Sequence, residues 1–548
     1  MSDQVIANIN GWIESCSRGH SSCQPTEDAL LPRFVIEVHG SDETKPSLRL
    51  VENGKKMARY ITLSYVWGIR PQPVQLVKEN MAELKDSIDY DKLPSTIQDA
   101  IRVARRLGVQ YVWVDALCIV QDDDDIKKQQ IGQMQNIYGN SYMTLQAANV
   151  ATVKESFLKV RNSPTPFKLR YDESSHIYLR GYTPDRMPGG SARQRAWVFQ
   201  ESILPNRLLV YGEHQLVFQC REGIQYECGF RANQVKYRSS ATPSFLRPGN
   251  WLNYLGKRLI QPIPPPDRRL DFLSAWYSAL DDGYTTRVLT FPSDRLPAVS
   301  GVAHRLQKEI GGRYVAGLWE SDLPWGLIWE PKNTAIYPSA IKPAVWRMSR
   351  PANPCAPSWS WAAMDGSTKH PFWARHNDTR EHDSPIATAC MESLQVNMAG
   401  EIVNSDGMLR IGAPLIYTAV ICKTDSRHKG LRQYRLMPSG KPRGGSDPFL
   451  VWDGPGRESR ESVDSDLDVD RSSRNDERPI AVALFDVEDE QKLYSGVWCL
   501  LICRSSALML ECVDQEKKIY RRLGIARVRP EFWPFSLSEQ IWTEISLS

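Results

Sequence analysis

Leu93-Pro-Ser-Thr-Ile-Gln-Asp-Ala-Ile-Arg-Val-Ala-Arg-Arg-Leu-Gly108 leads directly into Tyr111-Val-Trp-Val-Asp-Ala-Leu-Cys-Ile-Val-Gln-Asp122, and the reading of this stretch decides the fold. Ile97, Ala100, Ile101, Ala104 and Leu107 recur at helical spacing. Ser95 and Gln98, just after Pro94, fit a capping box at the start of that helix, and Gly108 suits its end. Tyr111–Val114 is aromatic and β-branched, as a buried strand is, and it stops at Asp115. Leu117–Val120 either continues this strand or turns away from it.

Each flank repeats the alternation. Upstream, Tyr60-Ile-Thr-Leu-Ser-Tyr65 reads as a buried strand closed at Val66-Trp-Gly68. Downstream, Asp122 to Asp125 crowd a helix start, where acidic groups suit the helix dipole and calcium-loop spacing is missing. Gln130, Ile131, Met134, Ile137 and Tyr138 give that helix an apolar face, Gly139-Asn140 ends it, and Tyr142–Leu145 is the next strand. Strand and helix alternating over about 90 residues imply a parallel α/β sheet.

Three blocks in this part of the chain resemble the fungal heterokaryon-incompatibility (HET) domain. They are Tyr60–Gly68, Leu93–Tyr138, and Arg195-Ala-Trp-Val-Phe-Gln-Glu-Ser-Ile-Leu204. The resemblance covers roughly residues 55–205. It extends loosely to Trp12, Cys16, His20 and Cys23 upstream and to Ala356–Trp361 downstream. Val66 stands where the family usually has Cys, and Val198-Phe199 replace a more usual Thr-Leu pair.

The resemblance implies a role in fungal self/non-self recognition that ends in programmed cell death. The HET domain is itself remotely similar to Toll/interleukin-1 receptor-like (TIR) domains, which have a flavodoxin-like sheet. Some of those cleave NAD with one glutamate that follows a Trp on a helix. By that analogy Glu201 is the candidate catalytic residue and NAD the candidate substrate, with no resident cofactor. The alternative reading is a non-catalytic module that self-associates and triggers death through protein partners.

The residues give this analogy physical content. Trp197 and Glu201 are four apart and share one face of a helix. An indole can stack a nicotinamide while a desolvated carboxylate faces the positive charge that develops on the ribose. Ser64 and Trp67 at the end of one strand and Asp115 at the end of another would meet where ligands bind in parallel sheets. The bland alternatives are that Glu201 pairs with Arg195 or Arg207, that Trp197 is core, and that Asp115 caps a turn.

The expected architecture is α/β, a flavodoxin/TIR-like parallel sheet with flanking helices in the N-terminal half, followed by a mixed α+β C-terminal region. Residues 1–55 form an N-terminal extension and 56–240 the HET domain. Residues 241–370 are mostly helical and end in Ala356-Pro-Ser-Trp-Ser-Trp361. Residues 371–548 are β-rich. Within them, 453–478 hold nine acidic residues and five arginines against three aliphatics, which marks a disordered insertion. Trp359 and Trp361, and Cys499 and Cys503, read as core.

Composition narrows the classes further. The chain has 548 residues, 68 basic and 64 acidic, for a net charge of +4. That balance gives no electrostatic case for nucleic-acid binding. No apolar run reaches membrane-span length, and the N-terminus lacks a signal-peptide pattern. Eleven cysteines without an export signal suggest reduced thiols and a cytoplasmic protein. Cys16, His20 and Cys23 offer three soft ligands where structural zinc takes four, so no metal site is expected and a cap of packed thiols is the reading. Nucleotide-loop, dinucleotide-fingerprint, zincin and hydrolase-elbow motifs are all missing. Seventeen tryptophans are an excess, and the seven between Trp319 and Trp373 make it mostly a C-terminal packing feature, with aromatic area for a core or a partner surface.

Overall fold

The structure is a computed structural model of the chain. It describes residues 2–20, 23, 28–40, 46–68, 72–161, 167–171, 175–179, 192–229, 231–233, 265–332, 348–370, 385–404, 407–428, 431–438, 481–487, 496–528 and 542–548. The expected insertion at 453–478 lies outside the described residues. Two compact units divide the chain, Met1–Ile310 and Gly311–Ser548.

The first unit is built on a mixed nine-stranded sheet. In chain order its strands are β1 (Phe34–His39), β2 (Ser47–Glu52), β3 (Tyr60–Ser64), β4 (Tyr111–Trp113), β5 (Met143–Ala147), β6 (Arg207–Tyr211), β7 (Leu216–Cys220), β8 (Gly223–Tyr226) and β9 (Arg231–Asn233). They lie side by side in the order β9-β8-β7-β6-β5-β3-β4-β1-β2. The middle four, β4-β3-β5-β6, run parallel. The pairs outside them are antiparallel.

Numbered among themselves, the parallel strands stand in the order 2-1-3-4, the flavodoxin-type winding. Its reversal point lies between β3 and β5, and ligands in such sheets bind beyond the strand ends at that point. β3 and β5 are buried along their whole length, as strands covered on both faces must be.

Helices precede the sheet and make its crossovers. At the N-terminus α1 (Asp3–Gly19) buries Ile6, Ile9, Ile13 and Cys16 on one side. The crossover between β3 and β4 is α3 (Ser95–Arg106), preceded by the short α2 (Met81–Asp86). Ile97, Ala100, Ile101 and Ala104 on α3 are buried, as their spacing predicts. The expected capping box does not form. Pro94 occupies the N-cap, so Ser95 is already helical, and Gln98 Nε2 donates instead to the Tyr90 carbonyl at 3.0 Å. Between β4 and β5 come α4 (Asp115–Cys118), α5 (Asp124–Ile131) and α6 (Met134–Gly139). The chain therefore turns at Asp115 rather than extending the strand. Asp123 starts α5, its Oδ1 accepting the Ile126 N–H at 2.9 Å. The crossover to β6 ends in α7 (Val198–Ile203). Later in the chain, α9 (Pro297–Ile310) packs against α7, and α8 (Pro265–Ala279) packs on α9.

The second unit is β-rich. Its strands 409–428, 431–438, 481–485, 519–528, 506–514 and 496–503 pair in that order, and 496–503 pairs back to 409–428, closing a ring. Alternate residues Ala481, Ala483 and Phe485, and Val497, Cys499 and Leu501, join one buried cluster. Beside it, Arg522 is wholly buried, with Nε 3.0 Å from Asp486 Oδ2 and Nη2 3.2 Å from Oδ1. Its guanidinium also lies 3.5 Å from the ring centre of Trp329 and donates to the Leu327 and Trp329 carbonyls. Trp319, Trp329, Trp359 and Trp361 are fully buried, so this part of the tryptophan excess is core.

Candidate active site

Ser64 ends β3 and pairs with Gln146 of β5 across the reversal point. On the other side Thr62 pairs with Trp113 of β4, which puts Ser64 level with Asp115, two residues further on. α7 follows Trp197, whose carbonyl accepts the Glu201 N–H at 3.3 Å, so the two residues share a face as expected.

These elements bring the candidates together. Ser64 Oγ donates to Glu201 Oε2 at 2.6 Å in a buried bond. Trp67 Nε1 donates to Asp115 Oδ2 at 2.9 Å, and the Ala116 N–H donates to Oδ1 at 2.7 Å. Trp197 Nε1 donates to Asp294 Oδ2 at 3.0 Å. Two half-buried indoles are thus each held by a carboxylate through the ring N–H, while Ser64 and Glu201 are buried.

The electrostatics follow from burial. Desolvation pushes the Glu201 carboxyl up to about 7; the Ser64 hydrogen bond and the Arg195 charge oppose the rise, and the Asp115 charge adds to it. Burial also raises Asp115, against the nearby Tyr65 hydroxyl, the hydrogen bonds from Ala116 and Trp67, and the charge of Arg195. Arg195 sets its Nη1 on the Tyr65 carbonyl at 2.9 Å. Its charge reaches Glu201, Asp115 and Asp294, so it is not the dedicated partner of any one carboxylate. Arg207, the other expected partner of Glu201, points elsewhere: it donates to the Cys23 carbonyl at 3.1 Å and to Ser17 Oγ at 3.2 Å.

The family model of the heterokaryon incompatibility protein (HET) matches residues 60–201. Residues 60–201 are a HET domain. The match begins on the first residue of β3 and ends on Glu201, and it supports a heterokaryon-incompatibility function. No curated protein and no solved structure matches the chain. Among the described residues, no helix is long and apolar enough to cross a membrane.

Ser64, Trp67, Asp115, Trp197 and Glu201 all belong to the HET domain. Two groups around them do not: Asp294, which fixes Trp197, and Arg287, whose charge reaches Glu201. Sequence reasoning missed both, because neither lies near a motif. It also missed Tyr65 and gave Arg195 only an ion-pairing role, although both sit inside the quoted blocks.

Away from these residues, the thiol of Cys220, the last residue of β7, lies within 4.8 Å of the side-chain donors of Cys16, His20 and Cys23.

Proposed function

We propose that the HET domain is the effector of a self/non-self recognition response and promotes cell death by hydrolysing NAD at the nicotinamide–ribose bond. The observation that carries this reading is the Ser64–Glu201 hydrogen bond, placed at the reversal point of the sheet, with the carboxyl lifted to about 7. Chemistry at such a bond needs one well-placed anion. As the C–N bond breaks, its electron pair neutralises the nicotinamide, and positive charge passes to the ribose. Ionised Glu201 stabilises that charge, and water then adds to C1′ with release of a proton. Ser64 orients the carboxylate. Trp67, Trp197 and Asp115 shape the surroundings, with the indoles offering stacking area to the bases.

The second reading, a non-catalytic module that acts through self-association and partners, draws on the near-complete burial of Glu201, which a structural carboxyl would also show. Glu201→Gln separates the two, since it keeps the shape and removes the charge. Purified wild-type and variant chains are incubated with NAD, and released nicotinamide is measured alongside host-cell viability on expression. Catalysis predicts loss of both NAD cleavage and toxicity in a folded variant. A wild-type chain that kills cells while their NAD stays constant would overturn it in favour of the module.

A further inference from the structure

Away from the candidate active site, Cys16, His20, Cys23 and Cys220 each bring one ligand atom to a common centre, all within 4.8 Å of one another. Helix α1 supplies Cys16 from its last turn. His20 follows four residues on, and its backbone N–H donates to the Cys16 carbonyl at 3.2 Å; the Cys23 N–H donates in turn to the His20 carbonyl at 3.2 Å. This tight double turn brings a C-x3-H-x2-C sequence to one point. Cys220 arrives from β7, with its Sγ 3.3 Å from His20 Nδ1 although the two are 200 residues apart in the chain. The three thiols are buried and free of disulfides.

We propose that these four side chains, three cysteines and one histidine, form a structural zinc site that clasps α1 to the sheet at β7. Three thiolates and an imidazole are the donor set that borderline-soft, tetrahedral Zn2+ takes. Zinc–sulfur bonds of about 2.3 Å imply ligand–ligand edges of about 3.8 Å, so a cluster confined within 4.8 Å needs only a small contraction to close on one ion. All four positions are filled by protein, which is the pattern of a structural site rather than a catalytic one. A disulfide would use two sulfurs and leave a third thiol and the imidazole unused. Simple apolar packing gives no reason to aim an imidazole nitrogen at a thiol.

The surroundings agree. Zinc with three thiolates carries one net negative charge, and the buried guanidinium of Arg207 lies beside it. Arg207 pairs with Cys220 across the β6–β7 ladder, so the two side chains share a face, and it donates to the Cys23 carbonyl and to Ser17 Oγ. Binding would release the thiol protons to solvent. Trp12 packs near Phe218 of β7, with ring centres 6.1 Å apart, so the clasp and this aromatic contact join the same two elements.

The test measures metal in the full chain purified under reducing conditions, by elemental analysis and by Co2+ titration of metal-free protein. The expected result is one zinc per chain and, with cobalt, the thiolate charge-transfer and tetrahedral d–d bands of a site with three sulfur ligands and one nitrogen. Cys220→Ser and Cys23→Ser lose the stoichiometric metal, while Cys228→Ser, at an exposed thiol, retains it. Because loss of a ligand can also unfold the chain, His20→Cys serves as the second variant: it keeps one metal and moves the cobalt spectrum to that of an all-sulfur site. The proposal is overturned if folded, reduced wild-type chain takes up neither zinc nor tetrahedral cobalt. It is equally overturned if Cys220→Ser binds as much metal as wild type, or if His20→Cys leaves the cobalt spectrum unchanged.

Discussion

Ser64 and Glu201, separated by 137 residues, meet in a buried hydrogen bond of 2.6 Å that joins the end of the first parallel strand to the last crossover helix of the HET domain. Removing the donor leaves a buried carboxyl without its partner. Ser64→Ala is expected to destabilise the first unit by about 1 kcal/mol at pH 5 and by about 1.5–3 kcal/mol at pH 8, because hydrogen bonds to the charged form are the stronger ones. Denaturant melts at the two pH values check the difference.

Glu201 also gives the fold a pH dependence of defined sign. Its carboxyl titrates at about 7 in the folded chain against 4.5 in the ordinary case, so between those values the folded state holds more proton than the unfolded one. Its contribution is fully present below pH 4.5 and is lost as pH rises through 7. Glu201→Gln removes this dependence. The variant should gain about 3 kcal/mol relative to wild type on going from pH 4.5 to 8, as thermal or urea unfolding across that range will show. A constant offset between the two proteins would contradict it.

If NAD cleavage requires the ionised carboxylate, the same titration governs rate. kcat/KM should rise about tenfold per pH unit below 7 and level off above it. Ser64→Ala, which removes a hydrogen bond that lowers the Glu201 pKa, should shift the inflection upward. Initial rates of nicotinamide release from pH 5.5 to 8.5 provide the measurement.

Trp67 and Asp115 form a second pair with a distinct signature. Trp67→Phe deletes the N–H that Asp115 accepts and should cost about 1.5–3 kcal/mol; Asp115→Asn keeps one acceptor oxygen but turns an NH2 toward the other of its two N–H donors, Trp67 or Ala116, and should cost about as much. A double-mutant cycle is expected to return a coupling of about 1 kcal/mol; additivity would mean that the contact carries no energy.

In the second unit, the buried Arg522–Asp486 pair makes Asp486→Asn an expensive change. It strips the counter-charge from a guanidinium that has no exposure, and about 3–5 kcal/mol of stability should go with it. Arg522→Lys keeps the charge but lacks the planar fork that serves Asp486 and two carbonyls together, so it should also fall well below wild type. Calorimetry reads both.

What the sequence disclosed was local. The apolar spacing of α3, the strands at Tyr60–Ser64 and Tyr111–Trp113, and the placing of Ser64 and Asp115 at the ends of neighbouring strands all follow from periodicity and from the geometry of parallel crossovers. How antiparallel strands pair on to both sides of the parallel core was not legible, because pairing between distant segments leaves no periodic mark. The capping box failed for a local reason: Pro94 took the N-cap position. Asp294 and Cys220 stayed hidden because each completes a motif from far along the chain, and single polar residues in a loop or at a strand end look alike until the fold places them.

The limits of the HET match bear on how such a domain could move between proteins. Residues 60–201 contain β3, β4 and β5, but their sheet neighbours β1 and β6 fall outside. Excised at those limits, the fragment would carry two bare strand edges, each a template for pairing with another copy. Recombination that transplanted only the matched stretch would deliver an aggregating fragment rather than a working part. The compact unit that encloses the match and both neighbouring strands is Met1–Ile310.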